Sequence, residues 1–130
     1  MDERYQRRLV FHGAIILLIG SLCGFPQLRA ISGGAPEAAV HAWRVAHDAL
    51  VAGGIMVIAI AAALRYVTLG PRGGAWLVGA LLALAYGAVV GLALPALTGL
   101  RGLEPTGPPL NFVAFVGNLF VGAEIGRAHV

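Results

Sequence analysis

Long uncharged stretches dominate the pattern of polar and apolar positions along this chain. They cover residues 9–28, 49–64, 73–100 and 105–123. A helix needs about 20 apolar residues to cross a bilayer, and runs without two-residue alternation are typical of helices and not of barrel strands. The pattern therefore predicts an all-α integral membrane four-helix bundle. The predicted helices span residues 9–28, 45–66, 73–100 and 109–126.

The composition leaves no room for a second, soluble domain. Hydrophobic residues make up 58% of the chain and charged residues 12%, so residues 1–130 are predicted to form a single transmembrane domain. The basic N-terminus followed by an apolar run resembles a signal peptide. That run is too long and has no small-residue cleavage site, so we expect the first span to stay in the protein. The lone Cys23 excludes an internal disulfide.

The basic residues predict how the chain is oriented in the membrane. All nine are arginines, and six flank the ends of the predicted spans on the side that holds both termini, against three on the other side. Because Lys and Arg are retained on the cytoplasmic side, both termini are predicted to lie in the cytoplasm, with the chain in the inner membrane. The formal charge of +3 then reflects topology and lipid contact. No nucleic-acid signature accompanies it.

Glycine spacing and loop residues suggest how the helices meet. Gly20 and Gly24 form a GxxxG motif, which favours close helix approach, either inside the bundle or between subunits. The longest loop is predicted over residues 29–42, because the Gly- and Pro-containing segment 31–36 cannot continue a helix. Four thin helices enclose little volume, so a large ligand is expected at a subunit interface of a homo-oligomer.

Polar side chains at membrane depth usually mark function or internal hydrogen bonds. The group around His47 indicates a functional site more strongly than the other polar residues do. Trp43 and Arg44 lie one helical turn before His47 on the same face. This grouping suits a haem, with His47 as iron ligand, Arg44 near a propionate, and Gly53 and Gly54 admitting a flat ring. The alternative is a set of ordinary interface residues, with Arg44 and Asp48 forming an i,i+4 ion pair.

His12 is the other candidate ligand. On the predicted topology it lies at the cytoplasmic end of the first helix, roughly a membrane thickness away from His47. The two histidines therefore cannot share one iron, and a haem held by His47 alone would keep an open face for Lewis-acid or ligand-binding chemistry. The simpler interpretation of His12 is a hydrogen-bonded residue near a helix end.

Several segments together resemble a known family. They are His12-Gly13, Pro36-Glu37, Trp43-x-x-Ala46-His47 and Gly54-Ile55-Met56-Val57-Ile58-Ala59. With weaker similarity through residues 77–79 and 101–103, the chain resembles styrene oxide isomerase. The resemblance implies a homotrimeric membrane protein that binds haem b through His47. It also implies that ferric iron activates an aryl epoxide, which rearranges to an aldehyde.

Two positions depart from the family pattern. The family has an Asn six residues after the ligand histidine, where this chain has Gly53. Its active-site Tyr in the third helix falls near Ala93, whereas the tyrosine of this helix is Tyr86, about 10 Å away along the axis. Tyr86 is therefore expected to pack internally with its hydroxyl hydrogen-bonded.

Three classes of function follow from these observations. The first is a haem b-dependent epoxide isomerase acting on a small apolar epoxide. The second is a haem-binding sensor or carrier without catalysis, favoured by the missing Asn and Tyr. The third is a haem-free structural or transport subunit, in which Asn111, Asn118 and Glu124 form a polar path along the fourth helix.

Overall fold

The chain folds into helices connected by short segments. The structure, a computed structural model, describes the backbone of residues 3–121 and the side chains of residues 3–119. Its four α-helices are α1 (Glu3–Ser32), α2 (Glu37–Ala63), α3 (Pro71–Thr98) and α4 (Pro109–Val121), with a 3-10 turn at Leu64–Tyr66 after α2. Residues 3–121 contain no strand. The prediction of an all-α, membrane-type four-helix bundle is confirmed.

Three of the helices are long and apolar enough to cross a membrane. They span 30, 30 and 28 residues, counting the 3-10 turn with α2, which corresponds to about 42–45 Å of helix against a hydrocarbon core of about 30 Å. Large apolar side chains such as Phe25, Met56 and Leu97 lie exposed on their outer surfaces, as lipid-facing residues do. The described part of α4 covers 13 residues.

The first two helices extend well beyond the uncharged stretches. Helix α1 begins at Glu3, which pairs with Arg7 over 2.9 Å one turn later, and continues through Pro26 to Ser32. Helix α2 begins directly after Pro36. The prediction of a long loop over residues 29–42 is therefore wrong, and a four-residue turn containing Gly34 in the left-handed conformation (φ 65°) replaces it. The longest connection in the described chain is residues 99–108.

Glycines bring α1 and α2 into close antiparallel contact. A methyl group added to Gly20 would lie 2.6 Å from the backbone nitrogen of Val51, and one added to Gly54 would lie 2.5 Å from the nitrogen of Leu17. Real Cβ atoms do not approach backbone so closely, so side chains at these positions would force the helices apart. Gly20 of the GxxxG motif therefore serves helix packing within the chain.

Helix α3 packs along the α1–α2 hairpin, and α4 packs on α3. Two core clusters hold α3 in place. The Leu9 cluster consists of Leu9, Val57, Ala61, Leu64, Val78 and Leu82. The Ile16 cluster consists of Ile16, Cys23, Ala46 and Leu50, with partly buried residues of α3 against it. Between α3 and α4, Gly91 and Gly117 face each other, and a methyl group on Gly117 would lie 2.5 Å from the Gly91 nitrogen.

Candidate functional site

The imidazole of His47 is held against α1 by a backbone hydrogen bond. Its Nδ1 lies 2.8 Å from the carbonyl oxygen of Gly20, and the side chain is half-buried. A carbonyl oxygen can only accept a hydrogen bond, so Nδ1 carries the proton and donates it. In the neutral ring the lone pair then lies on Nε2, the form in which histidine binds a metal.

The turn of α2 that carries His47 has both apolar residues in the core and exposed charged residues. Trp43 is half-buried against the Ile16 cluster, and Leu50, one turn after His47, belongs to the same cluster. Arg44 and Asp48 are exposed. The ion pair predicted between them is absent, since the ion pair in the described part of the chain joins Glu3 to Arg7.

The two neighbouring glycines of α2 have different surroundings. Gly54 is buried against α1, where Leu17 occupies the space that a side chain would need. The side of Gly54 on which a side chain would lie is therefore filled by α1, and the cofactor-binding role expected of Gly54 stays a prediction. A methyl group on Gly53 would meet no atom within 4 Å. The open position on α2 is thus Gly53.

His12 lies far from His47 and has a different partner. Its Nδ1 is 2.7 Å from the hydroxyl oxygen of Tyr86 on α3, and the two rings meet edge to face at 5.6 Å between centroids. Gly24, which contacts the His47 ring, is twelve residues further along α1 than His12, or about 18 Å. The predicted separation of the two histidines within the chain is confirmed, as is the internal hydrogen bond of Tyr86.

The asparagines at α4 anchor the preceding loop. The Asn111 side chain accepts a hydrogen bond from the Gly102 backbone nitrogen and donates to the carbonyls of Glu104 and Thr106. Asn118 donates to the Gly102 carbonyl over 3.0 Å. Their amides are thus engaged with backbone groups, which argues against the polar path predicted along α4. Its third member, Glu124, lies outside the described residues.

Two clefts in the described part of the chain both lie away from His47. One cleft of about 230 Å³ is lined by Arg72, Ala75 and Trp76. Another, of about 270 Å³, is lined by the 101–106 loop and Asn111. Both are smaller than the 300–1,000 Å³ usual for ligand sites, and neither touches His47. Neither cleft would therefore hold a ligand bound to His47.

Sequence reasoning found His47 but missed the groups that hold it. The Gly20 carbonyl and the space left by the absent side chain of Gly24 both belong to α1. Which residue of α2 lies beside them depends on the register between the two antiparallel helices. The GxxxG spacing of these glycines was a usable signal for close packing. It carried no information about which residue of α2 would fill the space.

These features define an all-α membrane protein that presents one histidine, with a fixed ring proton, from a helix–helix contact. The sequence matches the styrene oxide isomerase family over residues 5–126, which is nearly the whole chain. The chain belongs to this family, and the resemblance inferred from the sequence is confirmed. No curated protein matches it.

Proposed function

We propose that this chain is a haem b-binding membrane isomerase in which His47 ligates the iron through Nε2 and epoxides are converted to carbonyl compounds. The observation that carries the proposal is the hydrogen bond from His47 Nδ1 to the Gly20 carbonyl. Metal-binding histidines almost always donate their second ring proton to a carbonyl, carboxylate or water, which fixes the ring for ligation. His47 already has that arrangement.

The donor set fits a haem better than a bare metal ion. Among the described residues no group of three or more His, Cys, Asp or Glu side chains gathers at one place. Protein zinc sites need three or four such ligands, so a lone imidazole could not hold the ion. A porphyrin brings its own in-plane ligands and requires only an axial residue from the protein.

The residues around His47 suit a reaction that stays within one molecule. When bound, ferric haem would supply a Lewis acid that polarises the epoxide oxygen. A rearrangement to a carbonyl then moves hydrogen within the substrate and needs no external nucleophile or redox partner. The apolar Ile16 cluster, which includes Ala46 and Leu50 on either side of His47 in sequence, would help to keep the site dry, because water would trap the opened epoxide as a diol.

The surfaces around His47 support a position for the proposed cofactor. Arg44 is exposed one turn from His47 and could bind a propionate as a charge-assisted partner, with Trp43 as a near neighbour. Gly53 leaves open space on α2. Because neither of the two clefts in the described part of the chain adjoins His47, we propose that a second copy of the chain covers the haem in a homo-oligomer, a trimer as the family resemblance implies.

A second candidate function is a haem-binding sensor or carrier. Gly53 has no side chain, Ala93 has no polar group, and Tyr86 is hydrogen-bonded to His12. No polar side chain from these three positions is therefore available to orient a substrate. Under this alternative the iron would bind small ligands without turnover.

An epoxide assay separates the two candidates. Purified protein loaded with haem in detergent is incubated with a panel of aryl and alkyl epoxides, and carbonyl products are measured by gas chromatography. We expect aldehyde from an aryl epoxide with wild type and none above background with His47→Ala. A haem-loaded wild type that converts no epoxide would refute the isomerase and leave the sensor or carrier.

The orientation in the membrane is also a proposal. Each helix runs antiparallel to the one before it in the chain. The 33–36 turn and the 99–108 loop therefore lie on one side of the membrane, and the turn at Val67–Gly70 lies on the other. The excess of arginines near that second turn and the N-terminus favours a cytoplasmic location for them. His47 would then lie towards the outer face of the inner membrane.

A further inference from the structure

Two glycines one turn apart on α1, Gly20 and Gly24, face α2 but meet different groups there. Gly20 lies against the α2 backbone, where an added methyl group would be 2.6 Å from the Val51 nitrogen and 2.8 Å from the Leu50 carbonyl carbon. This is the usual use of a GxxxG motif, in which one helix backbone closely approaches another. Gly20 also accepts the His47 hydrogen bond through its carbonyl.

The nearest neighbours of Gly24 are atoms of the His47 ring. A methyl group there would lie 3.3 Å from both Cε1 and Nδ1 of the imidazole and 3.9 Å from Nε2, and no backbone atom of α2 is among its nearest neighbours. The missing side chain at Gly24 therefore makes room for an imidazole and not for a helix. One position of the motif serves helix packing, and the other serves a side chain.

We propose that Gly24 is a positioning residue for His47, and that with the Gly20 carbonyl it fixes the tautomer and the plane of the imidazole. The hydrogen bond fixes one edge of the ring, and contact with Gly24 fixes one of its faces. Together these constraints leave Nε2 as the unprotonated nitrogen in a defined direction. The consequence for haem binding depends on the function proposed above, whereas the geometry of the ring does not.

The substitution Gly24→Ala tests this role with little other disturbance. At 3.3 Å the new methyl group is closer than ordinary van der Waals contact, so the ring must move by a few tenths of an ångström, away from a hydrogen bond that is now 2.8 Å long. Gly79→Ala on α3 is the matched control. It also places an alanine in a helix interior, but its methyl group meets no atom within 4 Å.

The first measurement uses haem-free protein in detergent micelles. Nitrogen-15 NMR of histidine-labelled protein distinguishes the two neutral tautomers, and comparison with His47→Ala assigns the resonances of residue 47. We expect the Nδ1-protonated form in wild type and in Gly79→Ala, and a shifted or mixed population in Gly24→Ala. A wild-type His47 protonated at Nε2, or resonances unchanged by Gly24→Ala, would overturn the proposal.

The second measurement uses haem titration and the electron paramagnetic resonance spectrum of the ferric protein. Loss of an outer-shell partner typically weakens metal binding about 10- to 100-fold. We expect Gly24→Ala to weaken haem binding about 10-fold and to alter the ferric signal, with Gly79→Ala like wild type. Equal affinity and identical spectra in wild type and Gly24→Ala would refute the positioning role. A wild type that binds no haem would refute the proposed function, and the NMR result alone would then decide the role of Gly24.

If Gly24→Ala does not yield folded protein, the wild-type tautomer still tests the proposal. Size-exclusion chromatography in detergent establishes which variants are folded before either measurement. A folded Gly24→Ala with an unchanged ring and a lowered stability would show that Gly24 serves only packing, which contradicts the proposal.

Discussion

His12 on α1 and Tyr86 on α3 are joined by a 2.7 Å hydrogen bond, although 74 residues separate them in the sequence. The pair lies about 18 Å along the bundle from the level of His47. It joins α3, on which α4 packs, to the α1–α2 hairpin. Its role is therefore structural, and it should be separable from the histidine that we propose as ligand.

Tyr86→Phe removes this hydrogen bond and keeps the ring. Interhelical hydrogen bonds in membrane proteins contribute about 0.6 kcal/mol on average and at most about 1.7 kcal/mol. We expect a loss of this size in the free energy of unfolding in mixed micelles, with an unchanged haem spectrum. A double-mutant cycle with His12→Ala measures the coupling, and strictly additive effects would show that the pair contributes nothing.

Gly53→Asn restores the amide that the family has six residues after its ligand histidine. Because a side chain at Gly53 meets no atom within 4 Å, the substitution should leave the fold intact. A well-placed hydrogen-bond donor can contribute 10²- to 10³-fold to a rate, and we expect a gain of about 10-fold or more in epoxide turnover. The assay is product formation by haem-loaded protein.

Gly79→Asn is the matched control for this gain. It introduces the same side chain at another open helical position outside the proposed site. A rise in turnover with both variants, or with neither, would count against Gly53 facing the substrate.

The sequence was sufficient for the helical class and the family, but not for the ends of α1 and α2 or the surroundings of His47. Arg29 and Glu37 are charged, so hydropathy could not distinguish a helix that projects beyond the bilayer from a loop. The different surroundings of Gly53 and Gly54 could not be predicted for another reason. Which glycine faces α1 depends on the interhelical register, and two adjacent glycines give no local signal of it.

Asn118→Ala should loosen the loop between α3 and α4. The variant removes the amide that donates to the Gly102 carbonyl, and an unsatisfied buried polar group costs about 1–3 kcal/mol. Arg101 is exposed beside this carbonyl. We expect trypsin to cleave after Arg101 several-fold faster than in wild type, with mass spectrometry identifying the fragments.

Cleavage after Arg65, which is exposed in the 3-10 turn after α2, is the internal control for that experiment. Its rate should not change, because the turn is remote from α4. Equal acceleration at both arginines would indicate general unfolding and not release of the loop.

Cysteine labelling tests the proposed topology. In a Cys23→Ser background, Ser32→Cys and Thr68→Cys place a thiol at an exposed position on each side of the bundle. A membrane-impermeant maleimide applied to intact spheroplasts should label Ser32→Cys and reach Thr68→Cys only after lysis. The reverse pattern would place both termini outside and contradict the arginine count.

The visible spectrum of purified protein tests the central claim most directly. Wild type, His47→Ala and His12→Ala are expressed with ample haem supply and compared at equal protein concentration. The account predicts a Soret band in wild type and in His12→Ala that is lost in His47→Ala. A colourless wild type, or a Soret band that survives His47→Ala unchanged, would contradict it.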